Sequence, residues 1–185
     1  MVAKREISPN DEFISAIGRI LKSIEIRKAQ FADLDTIARI EQVCFPPEEA
    51  ASRVAFEKRL QAFPDSFLVA TLEDSGEIIG FINACVTDSK VVRDDMFEDV
   101  TQHMSSGDYH AILSVAVLPE HRGKGVAQAL MRELIALTRT QGKKGLCLTC
   151  HDHLIEFYID FGFENSGVSE SKHGGSVWYD MILEF

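Results

Sequence analysis

Basic residues are scarce in this chain, which has 19 lysines and arginines against 29 aspartates and glutamates and a formal net charge of −10 over its 185 residues. Binding of nucleic acids normally requires a basic face that displaces the counterions of the phosphate backbone. We therefore expect no nucleic acid among its partners. An acidic surface favours a cationic amine as a ligand, although it also serves solubility.

Long apolar runs are missing as well. No stretch approaches the roughly 20 residues of a membrane-spanning helix, and the N-terminus lacks the apolar segment of a secretory signal peptide. We expect a cytoplasmic protein that does not bind membranes. With 45% hydrophobic residues the chain can bury one sizeable core, and its length favours one domain over two.

Cysteine is also rare, and the four cysteines are typical of reduced core thiols rather than of a disulfide framework. Cys147 and Cys150 form a C-x-x-C pattern inside an apolar stretch that is typical of a strand, where residues three apart point to opposite faces. This geometry disfavours a redox pair or a shared metal. The next residues, His151 to His153, add ligand types without the spacing of a tetrahedral site, so we expect no metal.

The segment of residues 113–127 changes from an apolar strand pattern to a glycine-rich turn and then to an amphipathic helix. Apolar residues recur at helical spacing until Gln141, and Gly142 ends the pattern. Gly123 and Gly125 let the backbone approach a ligand without a Cβ in the way, and the helix that follows offers unpaired N–H groups and the positive end of its dipole. This arrangement is typical of a site for a phosphate-type anion.

A short run of glycine and basic residues can also be a solvated turn, and residues 122–125 alone leave both interpretations open. Neither the pattern G-x-x-x-x-G-K-[ST] nor the pattern G-x-G-x-x-G in a repeating βαβ context is present. Nucleoside triphosphates and dinucleotides are therefore disfavoured as ligands.

The turn resembles the signature of the GNAT superfamily of acetyl-CoA-dependent N-acetyltransferases, Arg/Gln-x-x-Gly-x-Gly/Ala, to which Arg122, Gly125 and Ala127 correspond. Residues 154–163 are similar to the F-Y-x-x-x-G-F element that lies beside the acyl thioester in that family. Both motifs occur in the order of the family. The resemblance extends over residues 24–185 and is closest to the arylalkylamine (serotonin) N-acetyltransferase branch.

The resemblance implies an α/β fold with a mixed, mostly antiparallel central sheet, a splayed pair of strands, and helices on both faces. It also implies a single N-acetyltransferase domain over residues 24–185. Residues 1–23 would form an N-terminal extension, in which the apolar residues between Phe13 and Leu21 recur at helical spacing. This apolar stripe could pack on the domain or on a partner, and it is compatible with a homodimer.

Local patterns predict the individual elements. Strands are expected at residues 24–27, 67–72, 77–86, 146–150, 163–168 and 176–183. Helices are expected around Ile37 to Val43, from about Glu48 to Ala62, at 126–141 and at 154–160. The polar stretch 94–108 is predicted to form an active-site flap with a helical turn.

The resemblance implies acetyl-CoA as the cosubstrate, with its pantetheine arm between the splayed strands. The amides of that arm would pair with the backbone of Val115, Ala116 and Val117, where a strand N–H can also meet the oxyanion of the reaction. The diphosphate would be held by the turn and the first helical residues, Arg122, Gly123, Lys124, Gly125, Val126 and Ala127.

Tyr158 corresponds to the general acid that the resemblance implies. A phenol with a pKa of about 10 can give a proton to a thiolate whose conjugate acid has a pKa of about 8.5. Without the resemblance, the pattern would favour a core tyrosine in the apolar company of Phe157, Phe161 and Phe163.

The general base is where the resemblance fails. The positions at which the arylalkylamine branch has two histidines correspond to Ala111 and Leu113, and neither side chain can accept a proton. His110 is the candidate that we retain, although it should face the other side of its strand unless a bulge rotates it. Loop residues or a chain of water molecules are the alternatives.

Phe45 and Glu48 are the candidate substrate contacts, because an aromatic ring and a carboxylate suit an amine on an apolar body. His151 and His153 could line the acceptor pocket or solvate the next helix. We expect transfer of an acetyl group from acetyl-CoA to the primary amine of a small molecule, such as an arylalkylamine, by direct attack in a ternary complex. The alternatives are acetylation of protein lysines or N-termini, and a CoA-binding regulatory module without turnover, which the missing base suggests.

Overall fold

The computed structural model describes residues 24–185. The apolar stripe predicted between Phe13 and Leu21 lies outside the described residues, so the homodimer that it suggested stays a prediction. The strands form one sheet in the order β1-β2-β3-β4-β5-β7-β6. They are β1 Ile24–Lys28, β2 Phe67–Leu72, β3 Ile78–Thr87, β4 Tyr109–Val117, β5 Gly145–Cys150, β6 Glu164–Val168 and β7 Tyr179–Glu184. Each pair of neighbours is antiparallel except β4 and β5, which are parallel. The predicted mixed, mostly antiparallel sheet is confirmed.

Helices cover both faces of this sheet, as predicted. They are α1 Leu34–Cys44, α2 Arg53–Ala62, α3 Asp95–Glu98, α4 Val126–Thr140 and α5 Ile155–Ile159. Side chains alternate between the faces along a strand. In β2, Leu68 and Ala70 pack in the core beside α4, whereas Phe67 and Val69 pack in the core beside α1 and α2.

Helix α1 is fixed at its start to the edge of the sheet. Arg27 of β1 donates two hydrogen bonds to the carboxylate of Asp33, at 2.7 and 3.0 Å. Ile37 and Ile40 of the helix are fully buried against the sheet. The position of α1 matters because its last turns reach the site described below.

The helix predicted from Glu48 begins only at Arg53. Ser52 caps it, because the Ser52 side chain accepts a hydrogen bond from the Ala55 N–H at 3.1 Å. Residues 46–50 form a turn instead, in which the Pro46 carbonyl oxygen accepts hydrogen bonds from two N–H groups. The proline pair ends the preceding helix, as predicted. The next helix begins five residues later than the apolar pattern indicated, because the turn after Pro46 separates the two helices.

Strands β4 and β5 diverge along their length. They pair only between residues 109–111 and 145–147. Beyond these residues β4 continues to Val117 and β5 to Cys150, with no pairing between them in the described part of the chain. Backbone donors and acceptors on this side of β4 are therefore available to a ligand. The splayed strand pair is confirmed.

A β-bulge in β4 changes which side chains face α1. Asn83 pairs with Ser114 while Ala84 pairs with Ile112, so Leu113 is the extra residue. Leu113 packs on the α1 side of the sheet, and strict alternation would turn Ser114 to the opposite side. The bulge instead keeps Ser114 on the α1 side. This local irregularity brings a hydroxyl group to the site.

All four cysteines are free thiols. Cys147 packs in one core cluster with Cys85, and Cys150 packs in another with Tyr158, so the residues of the C-x-x-C pattern face opposite sides as predicted. Among residues 24–185, no three His, Cys, Asp or Glu side chains come together as a metal-binding group. Within the same residues, no helix has the length and apolar character needed to cross a membrane.

Candidate active site

The glycine-rich turn lies directly before α4, as predicted. Gly125 precedes the helix with a φ of 84°, and Gly123 has a φ of 70°, both in the left-handed region that favours glycine. A Cβ added at Gly123 would meet no atom within 4 Å, so this side of the turn is open. No side chain caps the helix, and its first N–H groups remain available. This end of the helix suits an anion.

Arg122 fixes the turn to the end of β4. Its Nε donates to the Val117 carbonyl oxygen at 2.9 Å, and the Cys44 thiol donates to the same oxygen at 3.3 Å. A cavity of about 370 Å³ extends from here along the splayed edge of β4. Among the residues that line it are Phe45, Val115, Ala116, Val117, Arg122, Ala127 and Tyr158. Several of the predicted cofactor contacts are therefore brought to one cavity.

Other predicted cofactor residues do not point their side chains into this cavity. The side chain of Val126 is buried in the core. Lys124 turns back, and its Nζ donates to the Glu120 carbonyl oxygen at 2.8 Å. Gly123 and Gly125 have only backbone to offer. Contact of these four residues with the coenzyme stays a prediction that depends on their N–H groups.

Tyr158 lies where two cavities meet. It lines the cavity at the turn and a smaller one of about 90 Å³ between β4 and β5. The rings of Phe157 and Phe163 pack edge-on against it, with centroids 5.1 and 5.9 Å away. Burial raises the pKa of the phenol far above its ordinary value. Tyr158 therefore holds its proton at neutral pH.

A buried carboxylate that the motifs did not indicate faces the same small cavity. Glu41 of α1 is 2% exposed and lines this cavity together with Tyr158. Its Oε1 accepts hydrogen bonds from the Ala51 N–H at 3.0 Å and the Ser114 hydroxyl at 3.3 Å. Its Oε2 is buried without a hydrogen-bond partner among the described residues. Burial raises the pKa of Glu41 to about 7, against the opposing effect of these hydrogen bonds and of the nearby Arg59.

The signal for Glu41 was present in the helical spacing. Glu41 is four residues after Ile37 and next to Ile40, on the face that the pattern predicts to be apolar. A carboxylate on such a face needs a partner. Arg59 is 1% exposed, and its guanidinium donates to the Phe97 carbonyl oxygen at 2.7 Å. Burial lowers the pKa of Arg59 to about 10, so it remains cationic beside the carboxylate.

Glu49, rather than Glu48, faces the small cavity. Glu48 is exposed and lies at a larger polar cavity of about 590 Å³, whereas Glu49 lines this polar cavity as well as the two near Tyr158. The Glu49 Oε1 accepts a hydrogen bond from the Ser176 hydroxyl at 2.6 Å, and its Oε2 is 3.2 Å from the His151 Nε2. The turn after Pro46 produces this orientation, because it replaces the helix that we predicted.

Aromatic rings form the remaining wall of the small cavity. His151 stacks on Trp178 with centroids 4.2 Å apart, and His173 stacks on Phe97 with centroids 4.3 Å apart. The Trp178 indole N–H donates to the His173 carbonyl oxygen at 2.8 Å. Phe97 belongs to α3, which is the helical turn predicted for residues 94–108. Segments that are distant in the sequence thus line the same small cavity.

His110 does not face this space. It is fully buried on the α4 side of the sheet, with its Nδ1 2.9 Å from the Thr138 hydroxyl. That hydroxyl donates to the Leu134 carbonyl oxygen at 2.6 Å, so the His110 Nδ1–H must be the donor to Thr138. The bulge at Leu113 does not turn His110 to the face of Ala111 and Leu113, and it leaves His110 and Ser114 on opposite faces of the sheet. His110 lines a separate cavity with His103 and Lys143, so the structure does not bring it together with Tyr158.

We expect His110 to make the protein less stable in acid. Burial lowers its pKa from the ordinary 6.5 to about 4, so the unfolded chain takes up the proton first as the pH falls. The free energy of unfolding should therefore lose up to about 3 kcal/mol between these two values. Urea unfolding of the parent and of His110→Asn at pH 7 and pH 4.5 measures this, and the variant should lose less stability. An equal loss in both proteins would contradict the expectation.

Comparison with known proteins bears on this site. The sequence model described as the acetyltransferase (GNAT) family matches residues 34–163. The chain is similar to an uncharacterized N-acetyltransferase, YkwB, of Bacillus subtilis (strain 168), with 24% identity over 132 residues. That match covers 65% of this chain and 58% of the relative, so it spans less than two thirds of the length of YkwB.

Solved structures share the fold. The structure of Ard1 from Thermoplasma volcanium is similar, with a TM-score of 0.68 and 24% identity over 88% of this chain and 97% of that one. Naa50 of Arabidopsis thaliana, in complex with the bisubstrate analogue CoA-Ac-MVNAL, is also similar, with a TM-score of 0.68 and 17% identity over 88% of this chain and 99% of that one. At these identities, the likeness shows the fold.

Proposed function

The chain belongs to the acetyltransferase (GNAT) family, and we propose that it transfers an acetyl group from acetyl-CoA to the primary amine of a small molecule, such as an arylalkylamine. One observation carries this proposal. Two cavities at the gap between β4 and β5 share Tyr158 in their walls, and one extends to the first turn of α4 while the other is lined by the carboxylate residues Glu41 and Glu49. A donor and an acceptor can therefore meet beside Tyr158 from opposite sides.

The donor side suits coenzyme A. The open turn at Gly123 and the uncapped start of α4 can accept the diphosphate. The unpaired edge of β4 offers backbone N–H and C=O groups to the amides of a pantetheine arm. Val115 on this edge and Tyr158 line the same two cavities, so a pantetheine arm along the edge would end near Tyr158. The thioester would then lie beside the phenol.

The reaction requires an attacking neutral amine, stabilisation of the oxyanion and a proton for the leaving sulfur. An N–H group of β4 would donate to the oxyanion as the tetrahedral centre forms. Tyr158, which is protonated at neutral pH, would protonate the thiolate as the C–S bond breaks.

The acceptor side suits a cationic amine on an apolar body. Glu41 and Glu49 supply buried carboxylates, and Phe45 and Trp178 supply aromatic surface to the same cavity. Aromatic faces attract ammonium groups, and a mostly apolar pocket with few polar groups is typical of small-molecule sites.

A thiol-release assay with acetyl-CoA tests this function. The acceptors are 2-phenylethylamine, a polyamine, a peptide with a free N-terminus and an N-terminally blocked peptide that contains lysine. Turnover with 2-phenylethylamine or the polyamine supports the proposal. Turnover with peptides alone would favour protein acetylation, and measurable binding of CoA without turnover would favour a regulatory module.

Arg122→Ala should weaken CoA binding by about tenfold, which corresponds to the roughly 1.4 kcal/mol of one charge-assisted hydrogen bond. The substitution removes both a cation at the turn and the hydrogen bond to Val117. Isothermal titration with CoA measures the change. Arg132→Ala, which removes an exposed cation from α4, is the matched control. Equal affinities of the two variants would refute the role of Arg122.

A further inference from the structure

We propose that Glu41 is the group that removes the proton from the attacking ammonium of the substrate. This assignment rests on the proposed acetyl transfer and deepens it. It supplies a proton acceptor from α1, since Ala111 and Leu113 of β4 offer none.

The geometry of Glu41 is that of a prepared acceptor. Hydrogen bonds from Ala51 and Ser114 fix one oxygen, which leaves Oε2 buried and without a partner among the described residues. A buried carboxylate oxygen without a donor is costly to keep in a folded protein. An ammonium group in the small cavity would supply that donor. Because Tyr158 lines the same cavity, the nitrogen would then be close to the thioester.

Other acidic and basic groups near the site fit this role less well. Both oxygens of Glu49 are engaged, by Ser176 and His151. His110 lies on the opposite face of the sheet, with its ring bonded to Thr138. Glu41 alone among these carboxylates and imidazoles combines burial, a fixed orientation, an oxygen without a hydrogen-bond partner and a place in the cavity that Tyr158 lines.

A route for the proton to solvent starts at Glu41. The carboxylate also lines the larger polar cavity of about 590 Å³. The other charged or titratable groups that line it are Glu48, Glu49, Lys58, Arg59, Asp94, Glu98, Lys172 and His173. Cys44 on the same helix is a further titratable neighbour. Of these, Arg59 is the buried cation whose charge favours the ionised form of Glu41.

In a substrate R–NH₃⁺ an N–H bond breaks, its proton passes to Oε2 of Glu41, and the freed electron pair forms the bond from nitrogen to the acetyl carbon. The C–S bond breaks with its electrons on sulfur, and sulfur takes a proton from Tyr158. The nitrogen loses its second proton as the amide forms, and this proton restores Tyr158 through solvent. One proton, the one on Glu41, is released overall with the amide and the thiol.

Glu41→Gln tests the assignment with 2-phenylethylamine as the acceptor. We expect kcat at pH 7 to fall by about 10²-fold, the usual contribution of a general base, with the affinity for acetyl-CoA unchanged. In the variant, kcat/KM should rise by about tenfold per pH unit up to the pKa of the amine, because only the neutral amine reacts. In the parent, kcat/KM should level off once Glu41 is ionised.

An acceptor that is less basic separates a proton acceptor from a structural residue. In 2,2-difluoro-2-phenylethylamine the fluorines lower the pKa of the amine, so much of it is neutral at pH 7. We expect this acceptor to restore most of the rate of Glu41→Gln relative to the parent. An equal loss with both amines, or an unchanged pH profile, would overturn the assignment.

Two further variants complete the test. Glu133→Gln removes an exposed carboxylate from α4 and should leave rates and pH profile unchanged. Ser114→Ala removes a hydrogen bond that lowers the pKa of Glu41, so the acidic limb of kcat/KM should move to higher pH. If Glu41→Gln does not fold, Ser114→Ala tests the assignment in its place. An acidic limb of kcat/KM at the same pH as in the parent would then reject the assignment. Absence of turnover in the parent with every amine would reject the proposed function as well.

Discussion

Ala127→Glu is expected to raise the Kd for acetyl-CoA by about 10³-fold. Ala127 is in the first turn of α4 and lines the cavity beside Arg122. A glutamate there would fill the cavity and place a carboxylate where the diphosphate is expected. Two like charges about 4 Å apart near a protein surface repel by about 4 kcal/mol, which corresponds to this change in affinity.

The control for this variant uses the same helix. Ala136→Glu adds the same side chain at an exposed position of α4, outside the cavities near Tyr158. Isothermal titration with acetyl-CoA should give an affinity close to that of the parent. If Ala127→Glu binds as tightly as Ala136→Glu, the diphosphate is not held at the start of α4, and the donor side of the proposal is lost.

Tyr158→Phe should lower kcat by about 10³-fold while the KM for acetyl-CoA changes little. The substitution keeps the ring that packs against Phe157 and Phe163, so the fold should persist. It removes the proton that the leaving thiolate requires. Steady-state kinetics with 2-phenylethylamine and varied acetyl-CoA separate the two parameters.

The matched control is Tyr109→Phe, since the Tyr109 hydroxyl donates to Glu184 at the other end of β4. Its kcat should equal that of the parent. A Tyr158→Phe enzyme with normal kcat and a raised KM would show that the hydroxyl binds the donor and does not act as an acid. Normal values of both parameters would remove Tyr158 from the mechanism.

The proposed donor side is built from contiguous residues. The glycine conformations of the turn, the start of α4 and the strand that precedes it follow from local spacing, and the structure has them where the sequence predicts. These features depend on backbone sterics and side-chain spacing over a few residues, which a sequence displays directly. The expected position of Tyr158 beside the splayed strands came from the resemblance of one short motif to the family.

The proposed acceptor side depends on packing between distant segments. Ser114 reaches Glu41, 73 positions earlier in the chain, only because a bulge at Leu113 keeps its hydroxyl on the α1 side. Glu49 replaced the predicted Glu48 because the chain turns at Pro46 and does not continue as a helix.

By itself, then, the sequence determined the helix that opens at Gly125, because local spacing governs it, and its resemblance to a known family supplied the class of fold and the choice of Tyr158. Only the tertiary structure placed Glu41 in the cavity and decided that no bulge turns His110 toward it. A strand register with one extra residue reverses which side chains share a face, and no pattern in β4 alone reveals where that residue falls.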